Sequence, residues 1–255
     1  AFCTSSLTGW ILGSMFVRRG ATLARVQSDF LSSVSHELRT PITSIKVFVE
    51  TLRDDRVTDP EERKKCLAIM YQEMDRLEGL VKKLMDLSRI ESGQQAFTKD
   101  AVSITDVVTE ALGALEAAKL GDPVEVMTDM EDGLKTTGDK SALVQAVGNL
   151  LINAYKYTPE RNKVIGIVAR ARGDKQIEIA VSDNGPGIAP DEQRHIFEHF
   201  QRGSAAVKNM QPGSGLGLAI VRAVAKAHRG KVKLVTAPGQ GATFHFTMPA
   251  PSAQA

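Results

Sequence analysis

Cysteine is nearly absent: Cys3 and Cys66 are the only two among 255 residues. Two thiols so far apart make neither a disulfide framework nor a metal-ligand set. Cys66 reads instead as a small buried apolar residue of a protein in a reducing compartment. Excess charge is missing as well. Thirty-two basic against thirty acidic side chains leave a formal net charge of +2, which gives no reason to expect nucleic-acid binding. The short basic runs Glu62-Arg63-Lys64-Lys65 and Val81-Lys82-Lys83 fall on a helical pattern and read as solvated helix faces. No internal repeat or low-complexity tract appears. With 42% hydrophobic and 24% charged residues the composition is that of a folded protein, long enough for more than one domain.

The first seventeen residues have no charge at all. Ala1 to Val17, "AFCTSSLTGWILGSMFV", is uncharged and Arg18-Arg19 comes directly after it. The run falls a little short of the roughly 20 residues of a full span, and it lacks the basic leading region of a signal peptide. It reads as the C-terminal part of a truncated membrane helix, with the two arginines on the cytoplasmic side and Trp10 deeper or near a headgroup layer. A disordered leader is the alternative.

Beyond the arginines the pattern is helical. From about Ala21 to Arg53, Leu31, Val34, Leu38, Ile45, Phe48 and Leu52 recur in steps of three and four. Turn residues fill Asp54–Glu62, and Asp59-Pro60 opens a second helix that runs to about Ser92. In it Leu67, Met70, Met74, Leu77, Val81 and Leu84 repeat at the same spacing. Two such helices, each roughly 45 Å long, predict an antiparallel hairpin. Its apolar stripe calls for a second copy, giving a dimeric four-helix bundle.

After the linker Glu91–Gln95 the period changes. Helices are expected at "AVSITDVVTEALGALEAAK", "DKSALVQAVGNLLINAYKYT" and "GSGLGLAIVRAVAKAHRG". Strands are expected at "VEVMTDM", "KVIGIVARAR", "QIEIAVSD", "KVKLVTA" and "ATFHFTMP". The fold class is therefore α+β multidomain: a helical hairpin followed by an α/β sandwich, helices on one side of a mixed sheet. The expected domains are residues 1–19, 20–93 and 94–250, with a disordered tail at 251–255.

Three pieces of the second domain suggest chemistry. Asn149 and Asn153 lie four apart on one helix face with Lys156 nearby. Amide oxygens suit Mg²⁺ and a lysine suits phosphate, although a buried hydrogen-bonding asparagine pair is the blander reading. "SDNGPGI" puts Asp183 at a strand end before Gly185 and Gly187, which can receive an adenine amino group or merely make a turn. "GSGLGLAI" opens a helix on Gly213, Gly215 and Gly217, where exposed N–H groups attract an anion. Its spacing matches neither Walker A nor a dinucleotide fingerprint.

Taken in order, "FLSSVSHELRTPITSI", "NLLINAYKYTP", "SDNGPGIAP", "IFEHFQR" and "GSGLGLAIV" resemble the phospho-acceptor, N, first glycine, F and second glycine boxes of the sensor histidine kinases of two-component signalling. The resemblance runs from about Ala21 to Pro249. Gyrase, mismatch-repair and chaperone ATPases share the sandwich but not the histidine hairpin. The resemblance implies a membrane-tethered homodimer, with its catalytic core in the bacterial cytoplasm. ATP with Mg²⁺ would phosphorylate His36, and the phosphoryl group would pass to an aspartate in a response regulator receiver domain. It assigns Mg²⁺ to Asn153 with Asn149 in support, phosphate to Lys156, adenine stacking to Tyr157 and the adenine amino group to Asp183. Gly185, Gly187, Ile188, Gly213, Ser214, Gly215, Leu216, Gly217 and Leu218 would line the nucleotide, and Arg202 would stand near its terminal phosphate. Phe197 and Phe200 would anchor a lid at Gly203–Pro212. Gln201 and Tyr155 depart from the pattern without removing a ligand. About 17 residues between Arg19 and His36 are too few for the adaptor many relatives carry.

His36 explains the neighbouring proline. A neutral imidazole is a competent nucleophile near neutral pH, and Glu37 can orient the ring. Pro41 has no N–H for the carbonyl of Glu37, so the helix can bend beside the nucleophile. Thr40, one turn on, can position the water that dephosphorylates the regulator, or simply bond back to the carbonyl of His36. The other histidines invite local explanations, His228 that of a charge complementing a helix end. A rival reading is a nucleotide-sensing scaffold that transfers no phosphate.

Overall fold

A computed structural model describes residues 32–118, 123–159, 162–200 and 214–251. The chain divides into two compact units, Ala1–Val81 and Lys82–Ala255. The expected membrane-helix end at Ala1–Val17, the lid, Gln201, Arg202 and Gly213 lie outside the described residues. Among the described residues no helix is long and apolar enough to cross a membrane.

In the first unit, α1 covers residues 32–53 and passes through Pro41 without a break. Helix α2, Pro60–Glu91, begins where expected. Asp59 caps it by accepting from the Glu62 N–H at 3.2 Å, Pro60 needs no partner for a missing N–H, and Glu61 and Glu62 suit the positive end of the dipole. Arg63 ties the turn together, donating to Asp55 and to the carbonyl of Val57. Cys66 is buried and free, as expected. Gly93, at φ +70°, closes the far end of α2, and the N–H groups of Gln94 and Gln95 return to the carbonyl of Arg89.

The second unit is built on a five-stranded sheet in the order β2-β4-β5-β7-β6. These strands are β2 (Val124–Met130), β4 (Lys163–Ala171), β5 (Gln176–Asp183), β6 (Lys231–Thr236) and β7 (Ala242–Pro249). The β2–β4 pair is parallel and the rest are antiparallel, so the sheet is mixed. Alternation along β4, β5 and β7 turns Ile165, Ile167, Ile179, Val181 and Phe246 to one face, where each is at most 1% exposed. Helices α3 (Ile104–Ala118), α4 (Lys140–Tyr157) and α5 (Gly217–Ala227) cover that face, with α4 packed between the other two. Val107, Leu143, Leu150, Leu151 and Ile220 are fully buried there, each stabilising the fold by about 1.5–3 kcal/mol relative to exposure.

Two expectations are corrected. Residues 101–103 are not the start of a helix: Asp100–Ser103 forms β1, antiparallel to β3 (Lys135–Gly138) in a separate two-stranded sheet. Val102 is 3% exposed, and the Ser103 hydroxyl accepts from the Asp106 N–H, so α3 starts only after that cap. His228 is not a charge at a helix end. It is buried, its Nδ1 lies 2.9 Å from the carbonyl of Val224, and its Nε2 accepts from the Asp139 N–H at 3.0 Å. An imidazole that accepts at one nitrogen and donates at the other is neutral. It joins the end of α5 to the cap of α4, where Asp139 accepts from the Ala142 N–H.

Candidate functional site

Two candidate sites stand on the two units. On the first, His36, Glu37 and Thr40 share α1, and His36 and Thr40 are exposed. The Thr40 hydroxyl donates to the carbonyl of His36 at 3.3 Å. That bond is the local alternative expected for this residue, and it occupies the hydroxyl proton while leaving the oxygen lone pairs usable.

The second site is an open cavity of the second unit. Asn149, Asn153, Lys156 and Tyr157 line it from α4, and Asp183, Gly187 and Ile188 from the end of β5 and the loop after it. Ser214, Gly215, Gly217 and Leu218 enclose it from the start of α5. The helical repeat is what brings the α4 group together: positions 149, 153, 156 and 157 are spaced four, three and one along one face. Between these, Leu150, Leu151 and Ala154 turn into the core and hold the helix in place.

Asp183 sits at the last position of β5. Its Oδ1 accepts from the N–H groups of Gly185 at 2.9 Å and Ala242 at 3.2 Å. Burial pushes its carboxyl above the ordinary range, and those two N–H groups only partly oppose the shift. Gly185 thus orients the carboxylate rather than lining the cavity. Gly187 has φ +69°, and a Cβ there would stand 2.0 Å from the carbonyl of Ala237, so no other residue fits.

The opposite wall can take an anion. Helix α5 starts at Leu216 with no side-chain cap and no acidic residue in its first turn, so its N–H groups are available. Leu216 itself is fully buried and fixes the helix start. The Nδ2 of Asn149 is buried without a hydrogen-bond partner, and a Cβ on Gly217 would come within 3.8 Å of both Asn149 and Asn153. The orphaned Asn149 Nδ2 is an N–H donor, so with Lys156 and the uncapped helix end it fits phosphate oxygens, while the amide oxygens of Asn149 and Asn153 are the atoms that suit Mg²⁺. Among the described residues no cluster of His, Cys, Asp and Glu offers a competing metal site. Phe197 packs edge-on against Phe244 of β7 at 6.2 Å, and Phe244 lines the cavity. Phe200, at φ +58°, donates its N–H to the carbonyl of Gly215 and so ties the F-box turn to the start of α5. Tyr155 is large because it carries a packing role: it is 6% exposed, with the Lys163 ammonium 4.1 Å above its ring.

Sequence reasoning missed Lys83, Ile152, Pro186, Glu192, Ile196, Ala242 and Phe244, all of which line the cavity. Lys83 is exposed, as the solvated-face reading of its basic run expects, and it lines the cavity as well. It lies three residues after Leu80 and four before Leu87, in the row that is otherwise buried on α2. A charge interrupting an apolar row was the available signal.

A histidine-bearing helical hairpin joined to this sandwich defines a phospho-acceptor and nucleotide-binding class, and comparison with known proteins makes it specific. Residues 26–93 match the His Kinase A (phospho-acceptor) domain. Residues 138–252 match the histidine kinase-, DNA gyrase B-, and HSP90-like ATPase family. The sensor-like histidine kinase SenX3 of Mycobacterium tuberculosis is 38% identical over 239 residues, which cover 92% of this chain and 58% of SenX3. The solved mycobacterial sensor histidine kinase MprB is 30% identical, matching 60% of this chain and 98% of that one with a TM-score of 0.53. Full-length ShkA, solved with AMPPNP, is 28% identical over 89% of this chain and 47% of that one, with a TM-score of 0.65. The chain belongs to the sensor histidine kinases. It spans somewhat over half the length of the first curated relatives it matches.

Proposed function

We propose that the chain is the kinase core of a membrane-tethered bacterial homodimer that phosphorylates His36 from ATP and passes the phosphoryl group to a response regulator aspartate. The observation that carries this reading is the cavity. A desolvated carboxylate at one end and an orphaned asparagine amide at the other suit the two ends of a nucleoside triphosphate. Asp183 accepts from the adenine amino group, Tyr157 stacks on the base, Lys156 meets phosphate oxygens, and Asn153 with Asn149 holds Mg²⁺. Bound Mg²⁺ supplies charge neutralisation on the phosphates. Arg202 stands near the terminal phosphate in this reading. The exposed imidazole of His36 supplies the nucleophile, forming an N–P bond as the β–γ bridging P–O bond breaks and ADP departs. Glu37 orients the ring once the catalytic unit approaches, and Thr40 positions the water that hydrolyses the regulator's phosphoaspartate to inorganic phosphate.

Dimerisation follows from the hairpin. Leu67, Met74 and Val81 belong to the repeating row on α2 and are 55%, 56% and 40% exposed, while Ile42 and Val47 on α1 are each 52% exposed. A second copy covers such a stripe. Ala1–Val17 is the membrane tether, residues 20–93 are the acceptor hairpin and 94–250 the catalytic domain. Incubation with Mg²⁺ and γ-labelled ATP tests the activity. Label that is lost in acid and kept in base supports phosphohistidine, whereas acid-stable label or none overturns the reading.

A further inference from the structure

Lys83 has no assigned role in the cavity, yet it reaches in from α2. The placement follows from the packing of the last turns of that helix. Lys83, Asp86, Leu87 and Ile90 share a face of α2 by their spacing, and Leu87 and Ile90 are 2% and 9% exposed. The Gln145 amide of α4 donates to Asp86 at 3.1 Å. One turn back along α2 from Asp86 is Lys83, and one turn on along α4 from Gln145 is Asn149. Both line the cavity, next to the Asp86–Gln145 hydrogen bond.

The cavity has a direction. Tyr157 adjoins the Asp183 end, since a Cβ on Gly185 would meet both Asp183 Oδ1 at 2.8 Å and the carbonyl of Tyr157 at 3.0 Å. Asn149 is eight residues earlier on α4, about 12 Å away along the axis. With a purine at Asp183, the far phosphates arrive at the Asn149 end. We infer that Lys83 is a phosphate-binding cation contributed by α2, and that it engages the terminal phosphate of a nucleoside triphosphate.

The surroundings support that role. Neither Asp183 nor Glu192, the carboxylates lining the same cavity, forms an ion pair with Lys83, and among the described residues no hydrogen bond engages its ammonium. The residue is exposed by area, yet protein crowded around it desolvates the ammonium and lowers it below the ordinary lysine range. A partly desolvated cation with no ion pair among the described residues gains more from an arriving phosphate than a fully solvated one does. The neighbouring Lys82 is exposed and does not line the cavity.

This inference rests on the nucleotide reading of the cavity, and binding calorimetry separates the two. The probes are Mg²⁺ with AMPPNP and Mg²⁺ with ADP, on the full chain. Lys83→Met is expected to weaken AMPPNP binding roughly tenfold while ADP binding changes by less than about twofold. Retained ADP binding shows that the variant is folded. Lys83→Arg keeps most of the AMPPNP affinity, and Lys82→Met keeps all of it. Unchanged AMPPNP affinity in Lys83→Met overturns the inference, as does an equal loss for both nucleotides. A wild-type chain that binds neither nucleotide overturns the nucleotide reading itself.

Discussion

The hairpin and the catalytic unit bury their apolar residues differently. In the second unit the large aliphatic side chains of α4 and of strands β4 and β5 close into a core within one chain. Met85, Met127, Val168 and Val235 are the exposed exceptions among its described residues. In the hairpin, Tyr71, Leu67, Met74, Ile42 and Val47 are all more than half exposed. One region is finished by its own sequence, whereas the other leaves apolar side chains in water, which is why a second copy is proposed to cover them. The functional groups divide in the same way. The proposed nucleotide ligands on α4 are held by a core on the other side of their helix, and His36, the proposed acceptor, is exposed on α1.

That difference can be broken by substitution, and the largest effects belong in the cavity. Asp183→Asn is expected to weaken Mg-ATP binding between about tenfold and a hundredfold, because a charged acceptor for the base is lost. Calorimetry measures it. The same change should not destabilise the chain. The raised carboxyl means that the folded state holds this proton more tightly than the unfolded state does. Its stabilising contribution is present below the ordinary carboxylate range and is lost as pH rises through the raised value. At neutral pH the ionised group costs stability, and asparagine removes that cost while keeping an oxygen for the Gly185 and Ala242 N–H groups. Wild-type ATP affinity should correspondingly fall as pH drops through the same raised value.

The two kinds of burial rank next. Leu143→Ala leaves a hole in a fully buried position and should cost about 2–5 kcal/mol in denaturant unfolding of the catalytic unit. Leu67→Ala removes a side chain that is 55% exposed in the single chain. It should leave that unit's unfolding within about 0.5 kcal/mol and instead shift the monomer–dimer balance in sedimentation. Equal unfolding losses would dissolve the contrast between the regions.

Most of the catalytic unit was legible because its chemistry uses residues with few other reasons to occur together. Asn149, Asn153, Lys156 and Tyr157 are spaced for one helix face, and Asp183 is followed by glycines the backbone demands. Strands β1 and β3 were not legible. Each has four residues, and Lys135–Gly138 offers Thr136 as its buried partner rather than an apolar alternation. The neutral His228 could not be read because its meaning depends on the Asp139 N–H, 89 residues away in sequence. Lys83 was hidden because a lysine pair on a helix usually faces water, and only the folded cavity shows that an exposed lysine also lines it.

The smallest kinase effect is expected at Thr40. Its hydroxyl already bonds back to the carbonyl of His36, so Thr40→Ala should change autophosphorylation by less than about threefold, since a single backbone-directed hydroxyl bond carries little net energy. Selective loss of phosphatase activity, followed as decay of phosphorylated regulator with ADP present, would give that hydroxyl a role beyond the helix. Decay at the wild-type rate would leave it a local bond only.

The division of labour between the two units is tested most directly by His36→Gln, assayed for nucleotide affinity and for label from γ-labelled ATP in the same preparation. The account predicts Mg-ATP binding within about twofold of wild type together with no acid-labile phosphate on the chain. Label at the wild-type level in that variant would contradict it.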